Sequence, residues 1–445
     1  MEAYTQSSED QLIDGLPFKL GNSASYITDR KSVTFWPSGS NIYKTSSGTK
    51  VIKFQLNADS WLDPSTVRIM FNLVNNGDAV ERLRPLQGPH SFFRRVRISA
   101  NGCLLEDFDY NRTHQMFEML TSVHNRDNDD IEGFGYRSDT LHGAAPSTDT
   151  MPGIMGGSYQ TVGFKLCSGI FNQPKMLPLK YMGALTIELE LVNDKNDPVI
   201  TPGVDAVFTV ANTSNDWQIE NVQLKCDIVT LDNTLQNNYD SHLLSGKSLP
   251  INFNTYITQS QAVTGQDVSV NVSRAISRLK SVFVSFYKSP PVVGGVAADP
   301  AWNDKEWLKF MNPMAASSTY NKGYEIETQL QIGSKLFAEY PLRSMSESYA
   351  QLKKSVGILG SNFHSMSITP AQYRNEHFVI GIDTEKSVGA SWTGLSTRSG
   401  DLLSVRVKAQ DKSVLTAALM PDTLHIVLHS DCILEISDSG VSVFD

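Results

Sequence analysis

Residues 93–120 read FRRVRISANGCLLEDFDYNRTHQMFEML. Phe93, Val96 and Ile98 set apolar side chains among Arg94, Arg95 and Arg97, the mark of a half-buried strand. Asn101-Gly102 follows, and both residue types tolerate the positive φ of a two-residue hairpin turn. Leu104 to Asp107 then reads as the return strand. Asp109 is suited to cap a helix on which Met116, Phe117 and Leu120 share one face. Strand, tight turn, strand and helix thus succeed one another within 28 residues.

The same order recurs downstream. YEIETQLQIG (324–333) alternates as a strand, Gly333-Ser334-Lys335 turns, and Phe337-Ala338-Glu339 returns. Ser344 then stands three residues before Glu347, the signature of a capping box, and Gly357 supplies the helix stop. Other short strands surround both units. TKVIKFQLN (49–57), VRIMFNLV (67–74), LTIELELV (185–192) and IENVQLKCDIVTL (219–231) belong to the first half. SLPINFNTYI (248–257), LKSVFVSFY (279–287), HFVIGIDT (377–384), LLSVRVKAQ (402–410) and LHIVLHSDCILEIS (424–437) belong to the second. In LTIELELV the leucines and isoleucine face one way and Glu188 and Glu190 the other, which gives a sheet with one polar face. VIKFQLN and LPINFNTYI are paired as the opening strands of two similar units. The sequence therefore predicts an all-β chain of two units, each with a short helix, divided near residues 232–248. Residues 125–160 and 288–323 are read as long loops, of the kind that carry function or cover partners.

At 445 residues the chain exceeds one ordinary domain of about 150 residues. With 38 basic and 47 acidic side chains its net charge is −9, so direct condensation of a genome is not expected. The cysteines at 103, 167, 226 and 432 are far apart and never form CxxC, which supports neither a disulfide framework nor a zinc knot. No secretory h-region and no run of 18 apolar residues is present, so neither secretion nor membrane insertion is expected. The nine histidines give no metal pair with a clear third ligand. His425 and His429 are read as solvent-facing, and the acidic RDNDDIEG (126–133) as a solvated loop without the calcium-loop register. Glu188 and Glu190 read as a polar sheet face, and no nucleophile elbow exists. No enzyme activity, cofactor or metal is expected. The remaining classes are structural and binding proteins.

Residues 83–120 resemble the major capsid proteins of polinton-like viruses and their adintovirus and virophage relatives. The matching positions are Leu83 to Leu86, Phe93-Arg94-Arg95, Asn101-Gly102, Leu105-Glu106-Asp107 and Tyr110-Asn111-Arg112. Trp61-Leu62-Asp63-Pro64, Leu177-Pro178-Leu179, His242 to Lys247 with Gly246, and TGLSTRSGDLL (393–403) extend the likeness over most of residues 50–430. The resemblance implies a double jelly roll: two tandem eight-stranded rolls. It also implies homotrimeric pseudo-hexagonal capsomers that tile an icosahedral virion shell, with penton and minor capsid proteins as further partners. On this reading residues 1–25 form an N-terminal arm, 26–240 the first roll and 241–445 the second. The tail SDSGVSVFD is expected to order against neighbours as the arm does. Arg94, Arg95 and Arg97 are candidates for the trimer seam. The alternatives are a minor capsid or vertex protein, and a carbohydrate-binding jelly roll with Trp61, Trp302, Trp307 and Trp392 as its platform.

Overall fold

The computed structural model describes residues 27–46, 50–135, 151–203, 207–287, 310, 312–313, 325–358, 366, 368–375, 377–385, 394–398, 402–410 and 420–444. The proposed N-terminal arm lies outside them, as do Trp302, Trp307, Trp392 and much of both long connections.

Eight strands build the first roll: β1 (Ile27–Phe35), β2 (Val51–Leu56), β3 (Trp61–Asn75), β4 (Phe93–Ala100), β5 (Cys103–Asp109), β6 (Tyr159–Lys165), β7 (Leu185–Leu191) and β8 (Trp217–Leu231). They form two antiparallel sheets, ordered β1-β8-β3-β6 and β2-β7-β4-β5. The second roll uses β9 (Leu249–Ala262), β10 (Asp267–Val272), β11 (Leu279–Tyr287), β12 (Ile326–Ile332), β13 (Lys335–Leu342), β14 (Val379–Asp383), β15 (Leu403–Ala409) and β16 (Thr423–Ser437). Its sheets run β9-β16-β11-β14 and β10-β15-β12-β13. Adding eight to each label of the first roll reproduces the second, so both halves are the same two-sheet jelly roll.

Alternation explains how each roll closes. Leu185, Ile187, Leu189 and Leu191 of β7 are wholly buried, as are Ile52, Phe54 and Leu56 of β2 beside them. Phe92, Phe93, Val96 and Ile98 complete that side, facing Val67, Ile69, Phe71 and Leu73 of β3 across the sandwich. Each such side chain contributes roughly 1.5–3 kcal/mol through removal from water. The hairpin is as read: Asn101 and Gly102 take φ of 47° and 80°. In the second roll the Met345–Ser355 helix carries the complete capping box between Ser344 and Glu347, and Gly357 ends it at φ 80°.

Five expectations need correction. The opening strands were mispaired: VIKFQL is the second strand of its roll, and β1 is the counterpart of β9. β1 reads ITDRKSVTF, with its first six residues exposed, so no alternation announces it. β6 carries only a weak apolar pattern, and β10 (DVSVNV) was not among the expected strands although Val268, Val270 and Val272 alternate along it. The polar stretch before the second unit is a helix, Asn233–Leu244. Only Leu243 is buried on it, while Asp232 caps it by accepting from the Thr234 amide at 3.0 Å. Part of the predicted 125–160 loop is helical, within Val123–Glu132. Finally, the tail folds back: a last strand, β17 (Gly440–Phe444), pairs with Ile433–Ser437 of β16.

The two rolls interpenetrate. The Tyr110–Met119 helix buries Tyr110 in the first core but Met116 and Met119 in the second. In return Ile251 and Phe253 of β9, and Cys432, Leu434 and Ile436 of β16, join the first core.

Candidate functional site: the seam between the rolls

The seam is built on the geometry of one hairpin. β4 and β5 slip register between Ile98 and Ser99, leaving Leu105 as an extra residue. Such a bulge re-aims the next side chain. Here it sends Glu106 into the protein, 1% exposed. Its carboxylate accepts from the Ser168 hydroxyl, from the Gly169 amide at 2.9 Å and from the Ile170 amide at 3.4 Å. Thr255 of β9 approaches the same carboxylate from the other roll and helps to hold it ionised. Burial outweighs these donors and pushes Glu106 up to about 7. Nearby, the Asp109 amide donates to Thr258 Oγ1 at 2.8 Å. Phe108 meets Tyr256 edge-on at 5.6 Å, and Phe117 touches both Tyr256 and Phe283. The half-buried Arg112 guanidinium lies 4.0 Å from the centre of the Tyr287 ring, a cation–π contact between the rolls.

The motif positions therefore act in packing. Trp61, 8% exposed, donates to Gln236 Oε1 at 3.2 Å and packs on Tyr181 and Tyr239, holding the Asn233–Leu244 helix against the first roll. Pro64 lies within β3. Phe93 is core. The Tyr110 hydroxyl receives the Cys167 amide at 3.1 Å and meets His114 Nδ1 at 2.8 Å. Asn111 donates to the Ser91 carbonyl at 3.3 Å. Gly246, at φ 77°, turns the chain out of its helix toward β9.

The arginines stand on the outer face of β4. Arg94 pairs with Glu190 at 2.6 Å, and Arg95 grips Asp107 with two bonds of 2.6 Å. Lys53 meets Glu188 at 3.2 Å. Arg97 lies between Glu188 and Asp107 in register and makes no ion pair among the described residues. Glu188 and Glu190 thus serve a charged sheet face of alternating sign.

Two histidine readings change. His425 is 2% exposed and bonded to Ser260 Oγ at 2.9 Å; His429 stacks on Tyr256 and meets Ser281 Oγ at 3.3 Å. Desolvation pushes both down to about 3, so both imidazoles are neutral, His425 in the core and His429 half-buried on the wall of a cleft between the rolls. Alternation had placed them on one face, but the first roll covers that face. The structure also gathers His90, His114 and Glu118, with ligand atoms within 4.8 Å of one another. The i, i+4 spacing of His114 and Glu118 was the available signal; nothing linked His90 to them. The two imidazoles stack at 4.1 Å and 11°. Stacked rings direct their in-plane lone pairs along parallel lines, so one ion would meet both only after a ring rotates. Beside this group a cleft of about 480 Å³ opens, lined by Phe117, Cys167, Tyr256, Phe283 and His429. Trp61, buried beneath the Asn233–Leu244 helix, offers no sugar platform. Among the described residues no helix is long and apolar enough to cross a membrane.

Neither a protein-family model nor a curated protein matches the chain. Solved structures do. VP54 of PBCV-1, in a crystal structure fitted into a reconstruction of the virophage Sputnik, aligns with TM-score 0.62 and 13% identity over 96% of this chain and 99% of that one. The Faustovirus major capsid protein gives 0.60 and 9%, over 96% and 93%. A chain of the Sputnik virophage solved by cryo-EM gives 0.58 and 10%, over 96% and 91%. At such identities the likeness is one of fold, and it spans both rolls: this chain is a double jelly roll.

Proposed function

We propose that this chain is the major capsid protein of an icosahedral virus, a non-enzymatic subunit of the virion shell. One observation carries the reading: two complete jelly rolls of identical strand order lie side by side in one chain, and the likeness to a named major capsid protein runs through both. A subunit repeated many times must limit its exposed sheet edges and bury its apolar faces, which two packed sheets with nearly all strands paired do. Within this reading residues 1–25 are an arm, and the rolls divide at residues 240/241, inside the Asn233–Leu244 helix. Three copies form a capsomer, and capsomers meet one another, penton proteins and minor capsid proteins. Arg97 is the arginine of its trio best placed to reach a neighbour's carboxylate, since Arg94 and Arg95 already hold Glu190 and Asp107. The polinton-like and virophage group remains the proposed lineage.

The test is direct. The purified chain is examined by light scattering and negative-stain microscopy. Trimers of pseudo-hexagonal outline, and shells at higher concentration, are expected. A monomer at micromolar concentration in low salt overturns the reading.

A further inference from the structure

The two rolls carry opposite charge patterns on the outer faces of matching sheets. Their shared strand order sets β7 (LTIELEL) against β15 (LSVRVKA) residue by residue. Thr186 matches Ser404, Glu188 matches Arg406 and Glu190 matches Lys408, so the second roll has bases where the first has acids. The flanking strands invert too. Lys53 of β2 and Arg97 of β4 lie in register with Glu188. Asp267 of β10 and Glu327 of β12 lie in register with Lys408. Lys53–Glu188–Arg97 thus crosses three neighbouring strands as plus, minus, plus, and Asp267–Lys408–Glu327 crosses the three matching strands as minus, plus, minus. Asp107, next in the first row, is already gripped by Arg95. Neighbouring strands lie about 4.8 Å apart in any sheet, so the two triplets share one spacing. Each is symmetric about its centre, so they complement one another in either direction. Lys53 holds Glu188 at 3.2 Å, and Glu327 holds Arg343 at 3.2 Å. Arg97, Arg406 and Lys408 are exposed and make no ion pair among the described residues. A hollow of about 360 Å³ lies over the second triplet, lined by Asp267, Glu327, Arg406, Lys408 and Pro341. The seam inside the chain runs through β5 and β9, so neither triplet is spent on it.

We propose that the Lys53–Glu188–Arg97 face of one copy docks on the Asp267–Lys408–Glu327 face of a copy in a neighbouring capsomer. Glu188 meets Lys408 at the centre, and Lys53 and Arg97 meet the two flanking carboxylates. The proposal rests on the capsid-subunit reading and adds to it the surface through which capsomers join. A second copy is the occupant because the chain itself holds both halves of the pattern, matched in sign and spacing. The two faces differ, so the contact is heterologous and passes from copy to copy. Neither triplet contains an apolar side chain, whereas permanent interfaces are the more hydrophobic ones. The contact therefore joins finished capsomers, and Arg97 moves from the trimer seam to the meeting of two trimers. Complementary charge fixes register and rejects wrong partners.

The experiment uses the full-length chain, with sedimentation velocity for trimers and light scattering for larger assemblies. Glu188→Arg with Glu190→Arg makes the first face basic, and Arg406→Glu with Lys408→Glu makes the second acidic. Each pair sets like charges against one another. Each is expected to leave trimers intact and to raise the concentration needed for larger assembly roughly tenfold or more. The chain carrying all four changes exchanges the two patterns and is expected to assemble again. Lys31→Glu, exposed on the other sheet of the first roll, is the control and should assemble as wild type does. A second readout needs no variant and decides the matter should one misfold. Isotope-labelled and unlabelled wild-type trimers are purified apart, mixed at high concentration and coupled with a carbodiimide. A peptide joining Lys408 of one label to Glu188 or Glu190 of the other is expected. Absence of that link, or a folded fourfold variant that assembles no better than either pair, overturns the contact and leaves the capsid reading standing. A wild-type chain that is monomeric overturns the capsid reading itself.

Discussion

A β-carbon built on Gly169 would stand 1.4 Å from the carbonyl oxygen of Asn254. The two rolls meet there backbone against backbone, with room for a hydrogen and nothing larger. Gly169 also presents its amide to Glu106, so one residue joins the buried carboxylate to the second roll. Gly169→Ala must push β9 away, and overpacking of this kind costs typically 1–3 kcal/mol. A loss of about 3 kcal/mol in a urea unfolding series is expected. A wild-type midpoint would mean that the rolls are not in contact at this point.

Glu106 makes stability depend on pH. Its folded pKa of about 7 exceeds the ordinary 4.5, so the folded state holds the proton more tightly than the unfolded one. The resulting stabilisation is complete below pH 4.5 and is lost as pH rises through 7. At about 1.4 kcal/mol per pH unit the loss is on the order of 3 kcal/mol. Glu106→Gln keeps a neutral group there and should flatten this fall between pH 5 and pH 8 in thermal melts. Equal pH profiles for the two proteins would remove Glu106 from the account.

Ser344 tests the helix of the second roll. Its hydroxyl accepts from the Glu347 amide at 3.1 Å, and Glu347 bonds back to the Ser344 amide. Ser344→Ala should cost about 1 kcal/mol, read as a shift in the chemical unfolding midpoint, with Ser344→Asp restoring most of it.

Two thiols, the half-buried Cys167 at the cleft and the buried Cys226, should resist labelling because they hold their protons. Desolvation pushes Cys167 and Cys226 up to about 12. At pH 8 their thiolate fractions then fall on the order of a thousandfold below that of an ordinary cysteine. Titration of the native chain with a disulfide reagent should spare both, and denaturant should release them. Fast native labelling of either residue, located by mass spectrometry, would contradict the packing described.

Much of the fold was legible because a sheet with one buried face writes itself in alternation. β7 reads Leu-Thr-Ile-Glu-Leu-Glu-Leu and buries every second residue. The Asn101-Gly102 turn and the Ser344 capping box are local devices, set by residues within four positions of one another, and both stand as read. β1 was not legible, because its first six residues are exposed and only Val33 and Phe35 at its end pack on the core, too few to show a period. The Asn233–Leu244 helix was hidden for a similar reason: only Leu243 is buried on it.

The sequence by itself determined the class of the protein, two all-β units of similar plan with a helix after each hairpin, since these follow from spacing along the chain. Tertiary structure alone decided what the seam does. That Glu106 is buried under Ser168 and Gly169, that His425 and His429 are covered, and that Phe108 is buried against Tyr256 all depend on contacts between residues sixty or more positions apart. No local pattern records such contacts, because desolvation is a property of whatever the rest of the chain lays over a residue.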